Sequence, residues 1–129
     1  MIVAGSTVRI DFFRGRSTRE TTMLRSLMGL GVILVGDLVL AEVLQGFPDE
    51  RQAEAGRQTL ERFAVEPMVS GDVAIAAARN YRRPRSQGIM IRRTIDLLIG
   101  TFCIERGHAL LHHDRDVDPM AARLGLQAV

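Results

Sequence analysis

Four carboxylates stand where acids from distant parts of the chain could work together. Glu42 lies on the second turn of a predicted helix that follows a continuous aliphatic run. Asp96 lies in the first turns of a later predicted helix, one position off its apolar stripe, and Asp114 and Asp116 come shortly after the last strongly apolar segment. Burying a carboxylate alone is costly, so we expect these acids to pair with a cation or to hold a metal ion.

Acids gathered in this way can bind a hard divalent cation such as Mg²⁺ or Mn²⁺, because these ions prefer oxygen ligands. A metal held by carboxylates can activate water and neutralise charge on a phosphodiester. The same spacing has an ordinary explanation, since acids are common near helix starts, where the helix dipole favours them. The pattern alone leaves both interpretations open: a metal site, or a set of helix caps and surface acids.

Other reactive side chains give weaker signals. The arginine-rich segment 82–93 fits an RNA-phosphate track, because arginine makes bidentate phosphate contacts, and it fits a solvated basic loop equally well. His112 and His113 precede the last acids, which suggests metal or acid–base chemistry on weak grounds. Cys103 is the only cysteine, so it can form no internal disulfide and is expected to pack as a small hydrophobe.

Short apolar segments alternate with helical patterns, and these elements must position the acids. We predict strands over Ile2–Ala4, Val32–Val35, Val65–Pro67, Ala109–Leu111 and Leu126–Val129. We predict helices over 6–13, 17–28, 38–45, 49–63, 70–81, 95–106 and 116–124, with a basic loop over 82–88 that Pro84 breaks. Ser6 is expected to cap the first helix, with a role in orienting metal-bound water or neighbouring acids as the alternative. Ser17 with Glu20 has the spacing of a capping box.

This alternation predicts the α/β class, with a parallel sheet covered by helices on both faces. Ligands of such sheets bind beyond the carboxyl ends of the strands, which is where the four acids fall. A chain of 129 residues matches the size of one domain, so we assign residues 1–129 to a single domain.

Composition excludes several classes of protein. The chain is 47% hydrophobic and 25% charged, which is ordinary for a globular domain and excludes a disordered tail or a collagen-like fibre. The net charge of +2 is too weak to argue for nucleic-acid binding by itself. The longest apolar run contains Asp37 and falls short of the ~20 residues that span a bilayer. No secretion signal is visible, so we expect a cytoplasmic protein without membrane contact.

Four blocks of the sequence resemble those of PIN-domain proteins in order and spacing. The opening MIVAGSTVRIDFFRG is similar to the opening of that family. The segments GDLVLAEVLQGF, IRRTIDLLIGTFCIERG and LLHHDRDVDPMAARLGL are similar to its later blocks. Together they cover nearly the whole chain, and they look most like the blocks of VapC-type toxins from bacterial toxin–antitoxin pairs.

The resemblance implies a three-layer α/β/α domain with a central parallel sheet of four to five strands. It implies a ribonuclease that cleaves RNA phosphodiesters with Mg²⁺ or Mn²⁺ held by clustered carboxylates. The implied partners are an RNA substrate, a cognate VapB-like antitoxin and a second copy of the chain in a homodimer. The acids that match the family are Glu42, Asp96, Asp114 and Asp116, the same four that lie beyond the strand ends.

One expected acid is missing. The family's first strand is usually followed by an aspartate that ligates the metal, and Gly5 fills that position here. Arg9 replaces a usual aromatic residue, and Asp11 is expected to face away from the site on the first helix. Because glycine has no side-chain oxygen, we hypothesise that the nuclease is severely impaired or inactive, through an engineered change or natural decay.

Three functions remain distinguishable at this stage. The leading one is a VapC-like ribonuclease toxin that lacks one metal ligand. The second is a non-catalytic protein that keeps the PIN fold and captures its antitoxin. The third is a metal-dependent phosphohydrolase on another α/β fold, which would need a nucleophilic aspartate after the first strand, and Gly5 argues against it.

Overall fold

The computed structural model describes residues 1–129 as five strands and seven helices. The strands are β1 (Ile2–Ala4), β2 (Ile33–Gly36), β3 (Ala64–Glu66), β4 (Ala109–Leu111) and β5 (Gln127–Ala128). The helices are α1 (Ser6–Phe13), α2 (Arg19–Leu27), α3 (Asp37–Gln45), α4 (Glu50–Leu60), α5 (Gly71–Arg85), α6 (Thr94–Arg106) and α7 (Asp118–Arg123), with a 3₁₀ turn at Arg115–Val117. None of these helices combines the length and the apolar character that a membrane crossing needs.

The strands form one parallel sheet in the order β3-β2-β1-β4-β5. β1 is therefore central, and Val3 pairs with Leu34 on one side and Leu110 on the other. The prediction of a parallel sheet of four to five strands is confirmed. Because all strands run the same way, the chain leaves β1, β2 and β4 at the same edge of the sheet.

Side chains alternate between the two faces of the sheet and bury both of them. Val3, Leu34 and Leu110 belong to a large core cluster that includes buried residues of α3, α5 and α6. Ala4, Ile33 and Leu111 belong to a second cluster beneath α1 and α2. Helices thus cover both faces, which confirms the three-layer α/β/α architecture.

Ser6 does not cap α1, so that prediction is wrong. Gly5 occupies the N-cap position, Ser6 is the first helical residue, and no side chain caps this end of the helix. The Ser6 hydroxyl instead donates a hydrogen bond to the carboxylate of Glu42. The residue therefore contributes to the tertiary contact between α1 and α3 rather than to a local cap.

The capping box of α2 lies one residue later than predicted. Thr18 accepts a hydrogen bond from the backbone N–H of Thr21, and the Thr21 hydroxyl accepts one from the backbone N–H of Thr18. Thr21 is fully buried, whereas Ser17 is exposed. The capping box therefore forms between Thr18 and Thr21, because Thr21 also packs inside the fold.

The predicted basic loop over 82–88 is wrong for residues 82–85, because α5 continues through Pro84 to Arg85, whereas residues 86–88 form a turn as predicted. Proline lacks an N–H and costs a helix one hydrogen bond, but Pro84 falls in the last turn and its ring is buried. The backbone N–H of Ser86 still donates to the carbonyl of Arg82, 3.1 Å away. The chain reverses after the helix, at Gly88, where φ is +79°.

Candidate active site at the carboxyl edge of the sheet

The carboxyl end of β1 opens onto a small cavity of about 40 Å³. Four stretches of chain supply its polar lining: Gly5, Ser6 and Thr7 after β1, Glu42 from α3, Arg93 and Asp96 at the start of α6, and His112 and Asp114 after β4. The parallel topology explains this convergence, because successive crossovers return the chain to the same edge. The sheet therefore gathers the acids where the sequence predicted a ligand site.

Three of the four predicted acids, Glu42, Asp96 and Asp114, line the cavity. Asp116 does not line it, but its charge acts on Asp96. Burial raises the pKa of Asp96 above its usual range, the charge of Arg93 opposes this rise, and the negative charges of the other three acids add to it. The four carboxylates are thus close enough to interact electrostatically.

Glu42 is held on both of its oxygens. The Ser6 hydroxyl donates to Oε1, and Nη2 of Arg93 donates to Oε2 at 3.1 Å. Nε of Arg93 lies 3.6 Å from Oδ2 of Asp96, which is an ion pair but too long for a hydrogen bond. Oδ2 of Asp96 is buried and has no hydrogen-bond partner.

Local hydrogen bonds orient Asp114. Its Oδ1 accepts from the backbone N–H of Asp116 at 2.9 Å, which caps the 3₁₀ turn after β4. Its own N–H donates to Nδ1 of His112 at 3.2 Å. In that bond Nδ1 of His112 is the acceptor, which leaves Nε2 to face other partners. One carboxylate oxygen of Asp114 stays available to a ligand.

Residue 5 does not need to be glycine for backbone reasons. Gly5 has φ −66° and ψ 165°, which any residue adopts. A Cβ there would lie 3.5 Å from the carbonyl oxygen of Leu111 and 3.8 Å from Cβ of His112, which are ordinary van der Waals distances. The fold therefore has room at residue 5 for the start of a longer side chain.

The donor set suits a hard divalent cation by type, since carboxylate oxygens are what Mg²⁺ and Mn²⁺ prefer. The unpartnered Oδ2 of Asp96 supports this fit. In the present arrangement, however, no three His, Cys, Asp or Glu side chains are placed so that they could hold a metal ion. Ser6 and Arg93 engage Glu42, and a backbone amide engages one oxygen of Asp114. The residues fit by chemistry, and loading would require these contacts to rearrange.

A family model described as the PIN domain matches residues 6–122. The chain belongs to the PIN-domain family. Its α/β fold and parallel sheet are those that the family resemblance implied. The match begins directly after Gly5, so residue 5 itself lies outside the matched range.

Solved structures share the fold over the full length of this PIN domain. VapBC2 from Rickettsia felis, solved with a fragment of promoter DNA, matches with a TM-score of 0.78 and 19% identity, covering 100% of this chain and 98% of that one. VapBC-1 from nontypeable Haemophilus influenzae matches with a TM-score of 0.77 and 17% identity, covering 100% of this chain and 97% of that one. A toxin–antitoxin complex from Klebsiella pneumoniae matches with a TM-score of 0.75 and 17% identity, covering 100% of this chain and 96% of that one.

The contacts of Arg93 with the acids of this PIN domain were not predicted from the sequence. Arg93 was grouped with the basic segment 82–93, but among those arginines it alone lines the acid cavity. Its spacing of three residues from Asp96 on one helix start was an available signal, because side chains at i and i+3 are neighbours. The contact with Glu42, 51 positions away, had no such signal.

Arg9 and Asp11 lie on α1 but do not line the cavity. Arg9 is 3% exposed, and its Nε and Nη2 atoms have no hydrogen-bond partner. Its guanidinium stacks over Phe63 at 5.5 Å from the ring centroid. Burial lowers the pKa of Arg9 to about 10. Arg9 is therefore a buried charge with little compensation.

Proposed function

We propose that this PIN domain is a VapC-like toxin whose Mg²⁺- or Mn²⁺-dependent endoribonuclease activity is impaired because Gly5 supplies no carboxylate. The observation that carries the proposal is the convergence of Glu42, Asp96 and Asp114 beside Gly5 at one edge of the sheet. Similar solved structures are VapBC and other toxin–antitoxin complexes, and PIN domains are generally nucleases. The cognate partner would be a VapB-like antitoxin, and the toxin would pair as a homodimer.

Each site residue has a part in this proposal. Glu42, Asp96 and Asp114, with Asp116 nearby, would hold the divalent ion. When bound, that ion supplies an activated water and neutralises charge on the scissile phosphate. Ser6 fixes the orientation of Glu42 by its hydrogen bond. Burial raises the pKa of Asp96 and leaves its Oδ2 without a hydrogen-bond partner, so a bound cation would offset part of that cost.

The absence of an acid at residue 5 has a definite cost. Removing groups that merely support a metal ligand costs about 10–100-fold in metal affinity or activity, so losing a direct ligand should cost more. The remaining acids keep their positions, because none of them depends on a side chain at residue 5 for a hydrogen bond. An impaired site on an intact fold is the expected result.

RNA cleavage in Mn²⁺ tests the proposal. We expect cleavage from the Gly5→Asp variant and little or none from the unmodified chain. Gly5→Asn is the matched control, because it has the same size as aspartate but carries no charge, and it should stay inactive. Equal cleavage by all three proteins would show that the remaining acids suffice and that the argument from Gly5 is wrong.

A second round of variants identifies the ligands. In the Gly5→Asp background, Glu42→Gln and Asp96→Asn should abolish cleavage. Glu105→Gln is a suitable control, because Glu105 is exposed on the last turn of α6, away from the cavity. Undiminished cleavage by the Asp96→Asn form would contradict the site assignment.

The second candidate function is antitoxin capture without catalysis. No three side chains are placed to hold a metal ion and Arg93 neutralises part of the acid cluster, which favours a protein without catalysis. Similar solved structures are toxin–antitoxin complexes, which supports capture of a partner. Such a module would bind its antitoxin equally well in EDTA and in Mn²⁺, and Gly5→Asp would not change that affinity. Gel filtration with the product of the neighbouring gene, in EDTA and in Mn²⁺, tests whether complex formation depends on the metal or on residue 5. Light scattering of the free chain tests the homodimer.

A further inference from the structure

We propose that Arg93 is an internal counterion that competes with the divalent cation for Glu42 and Asp96, so that the cavity loads a metal only when the guanidinium leaves. The inference rests on the proposed function, because it concerns the same acids. It assigns to Arg93 an autoinhibitory contact within the chain itself.

The geometry places one guanidinium across two carboxylates. Nη2 of Arg93 is 3.1 Å from Oε2 of Glu42, and Nε is 3.6 Å from Oδ2 of Asp96. Both acid side chains are 12% exposed, whereas that of Arg93 is 54% exposed. The positive group therefore approaches the acids from the solvent side of the cavity, the side from which a dissolved ion would arrive.

Arg93 can leave this position without disturbing the fold. It is the N-cap residue of α6, where its carbonyl accepts the first helical hydrogen bond from Leu97 at 3.1 Å, and its side chain makes no capping bond. The backbone is thus fixed by the helix, while the half-exposed side chain is bound only through its ion pairs. Rotation about its side-chain bonds would release both acids together.

A metal ion and Arg93 compete for the same acceptors. A divalent ion needs the carboxylate lone pairs that the guanidinium now faces, and the two positive charges repel each other at short range. The Ser6 hydroxyl donates to the other oxygen of Glu42, so this bond and the Arg93 contact together occupy part of the acceptor capacity of the carboxylate. Arg93 and the cation therefore compete at Glu42.

Arg92 provides a matched control for this contact. It has the same charge and lies one residue earlier, but it is exposed and makes no ion pair with either acid. Removing either arginine lowers the net charge by the same amount. Only removal of Arg93 frees the carboxylates, so the difference between the two variants measures the direct contact.

The experiment measures Mn²⁺ affinity, by calorimetry or by electron paramagnetic resonance of free Mn²⁺, without RNA. The proteins are the full chain, Arg93→Gln and Arg92→Gln, each with Gly5 and with Gly5→Asp. We expect Arg93→Gln to bind Mn²⁺ roughly five- to tenfold more tightly than its parent, which is the scale for releasing two partly exposed ion pairs. Arg92→Gln should change the affinity by less than about twofold, since its charge is screened by solvent.

The outcomes separate this inference from the proposed function. If Mn²⁺ binds and the two arginine variants have equal affinities, Arg93 is not a competing counterion, and the metal-dependent function stands. If no protein in the series binds Mn²⁺, including Arg93→Gln with Gly5→Asp, both the inference and the metal-dependent function are wrong. Circular dichroism of each variant verifies that it is folded.

Discussion

Nε2 of His113 lies 3.1 Å from Oδ2 of Asp11, and this contact joins the segment after β4 to the first helix. Asp11 is only 8% exposed, and its other oxygen faces Nη1 of Arg16 at 3.5 Å. The aspartate is therefore a structural link between two segments that border the acid cavity, although it does not line the cavity itself. This position agrees with the expectation that Asp11 faces away from the site.

Replacing Asp11 with alanine should lower the free energy of unfolding by about 1–3 kcal/mol, because the change leaves His113 without its partner and removes a buried hydrogen-bonded acid. Urea denaturation measures the loss. Glu105→Ala removes an exposed acid and should stay within about 0.5 kcal/mol of the parent. Equal stabilities for the two variants would show that Asp11 contributes no more than a surface charge.

Arg9→Met should raise the free energy of unfolding by roughly 2 kcal/mol. Burial lowers the pKa of Arg9 to about 10, which corresponds to a penalty of about 3 kcal/mol on its charged form, and the contact with Phe63 offsets part of it. Arg25→Met is the control, because Arg25 stacks on Phe12 at 5.3 Å but is exposed. That variant should be unchanged or slightly less stable, and a similar response from both would contradict the prediction.

The same residue predicts a pH dependence. The folded chain releases the Arg9 proton near pH 10, whereas the unfolded chain keeps it until above pH 12. The unfolded state therefore holds more protons in this window, and stability from this group rises with pH there. The advantage of Arg9→Met should be complete at pH 7 and should shrink above pH 10. Urea titrations of both proteins at pH 7 and pH 10.5 would detect the change, and a constant difference would exclude a buried charge as its cause.

Two glycines of this chain should respond differently to alanine. Gly5→Ala should leave the free energy of unfolding within about 0.5 kcal/mol of the parent, because the entropy that the unfolded chain loses offsets the preference of the N-cap position for glycine over alanine. Gly100→Ala should lower it by about 1–3 kcal/mol, because its Cβ would overlap the buried side chain of Met120. Thermal melts compare the two variants, and a destabilised Gly5→Ala form would show that residue 5 is less open than its geometry indicates.

The thiol of Cys103 should resist modification while the protein is folded. Burial raises its pKa from 9.0 to about 12, so at pH 8 the folded chain holds about 1000-fold less thiolate than the unfolded chain. Reaction with a disulfide reagent should be slow in buffer and rapid in guanidinium chloride. Because the folded state retains this proton to higher pH, stability from this group falls between about pH 9 and pH 12. Rapid labelling in buffer would mean that α6 opens readily.

The sheet and the clearest helix could be predicted from local pattern. Uninterrupted aliphatic runs mark strands buried on both faces, as β2 is, and Gly107 ends α6 in the left-handed conformation, with φ +71°. Convergence of the acids at one edge of the sheet followed from topology alone. The precise caps did not, because Ser17 and Thr18 both have plausible partners three residues on, and burial of Thr21 decided between them.

The side-chain contacts within the site depend on tertiary packing, which no local pattern encodes. Arg93 meets Glu42 because α6 and α3 start at the same edge of the sheet, and nothing near either residue in sequence specifies this. The burial of Arg9 contradicts the usual exposure of arginine, so composition and periodicity assign it to the surface. The sole sign in the sequence was the expectation, drawn from the family resemblance, of an aromatic residue at this position.

The ordinary backbone at residue 5 has a genetic consequence. Two of the four glycine codons differ from an aspartate codon by a single base, and here the backbone conformation suits either residue and leaves room for a Cβ. A gene that carries one of these two codons can therefore pass between the two forms by one point mutation. The backbone at this codon does not oppose that exchange, so selection at residue 5 acts on the charge and the chemistry of the acid cluster.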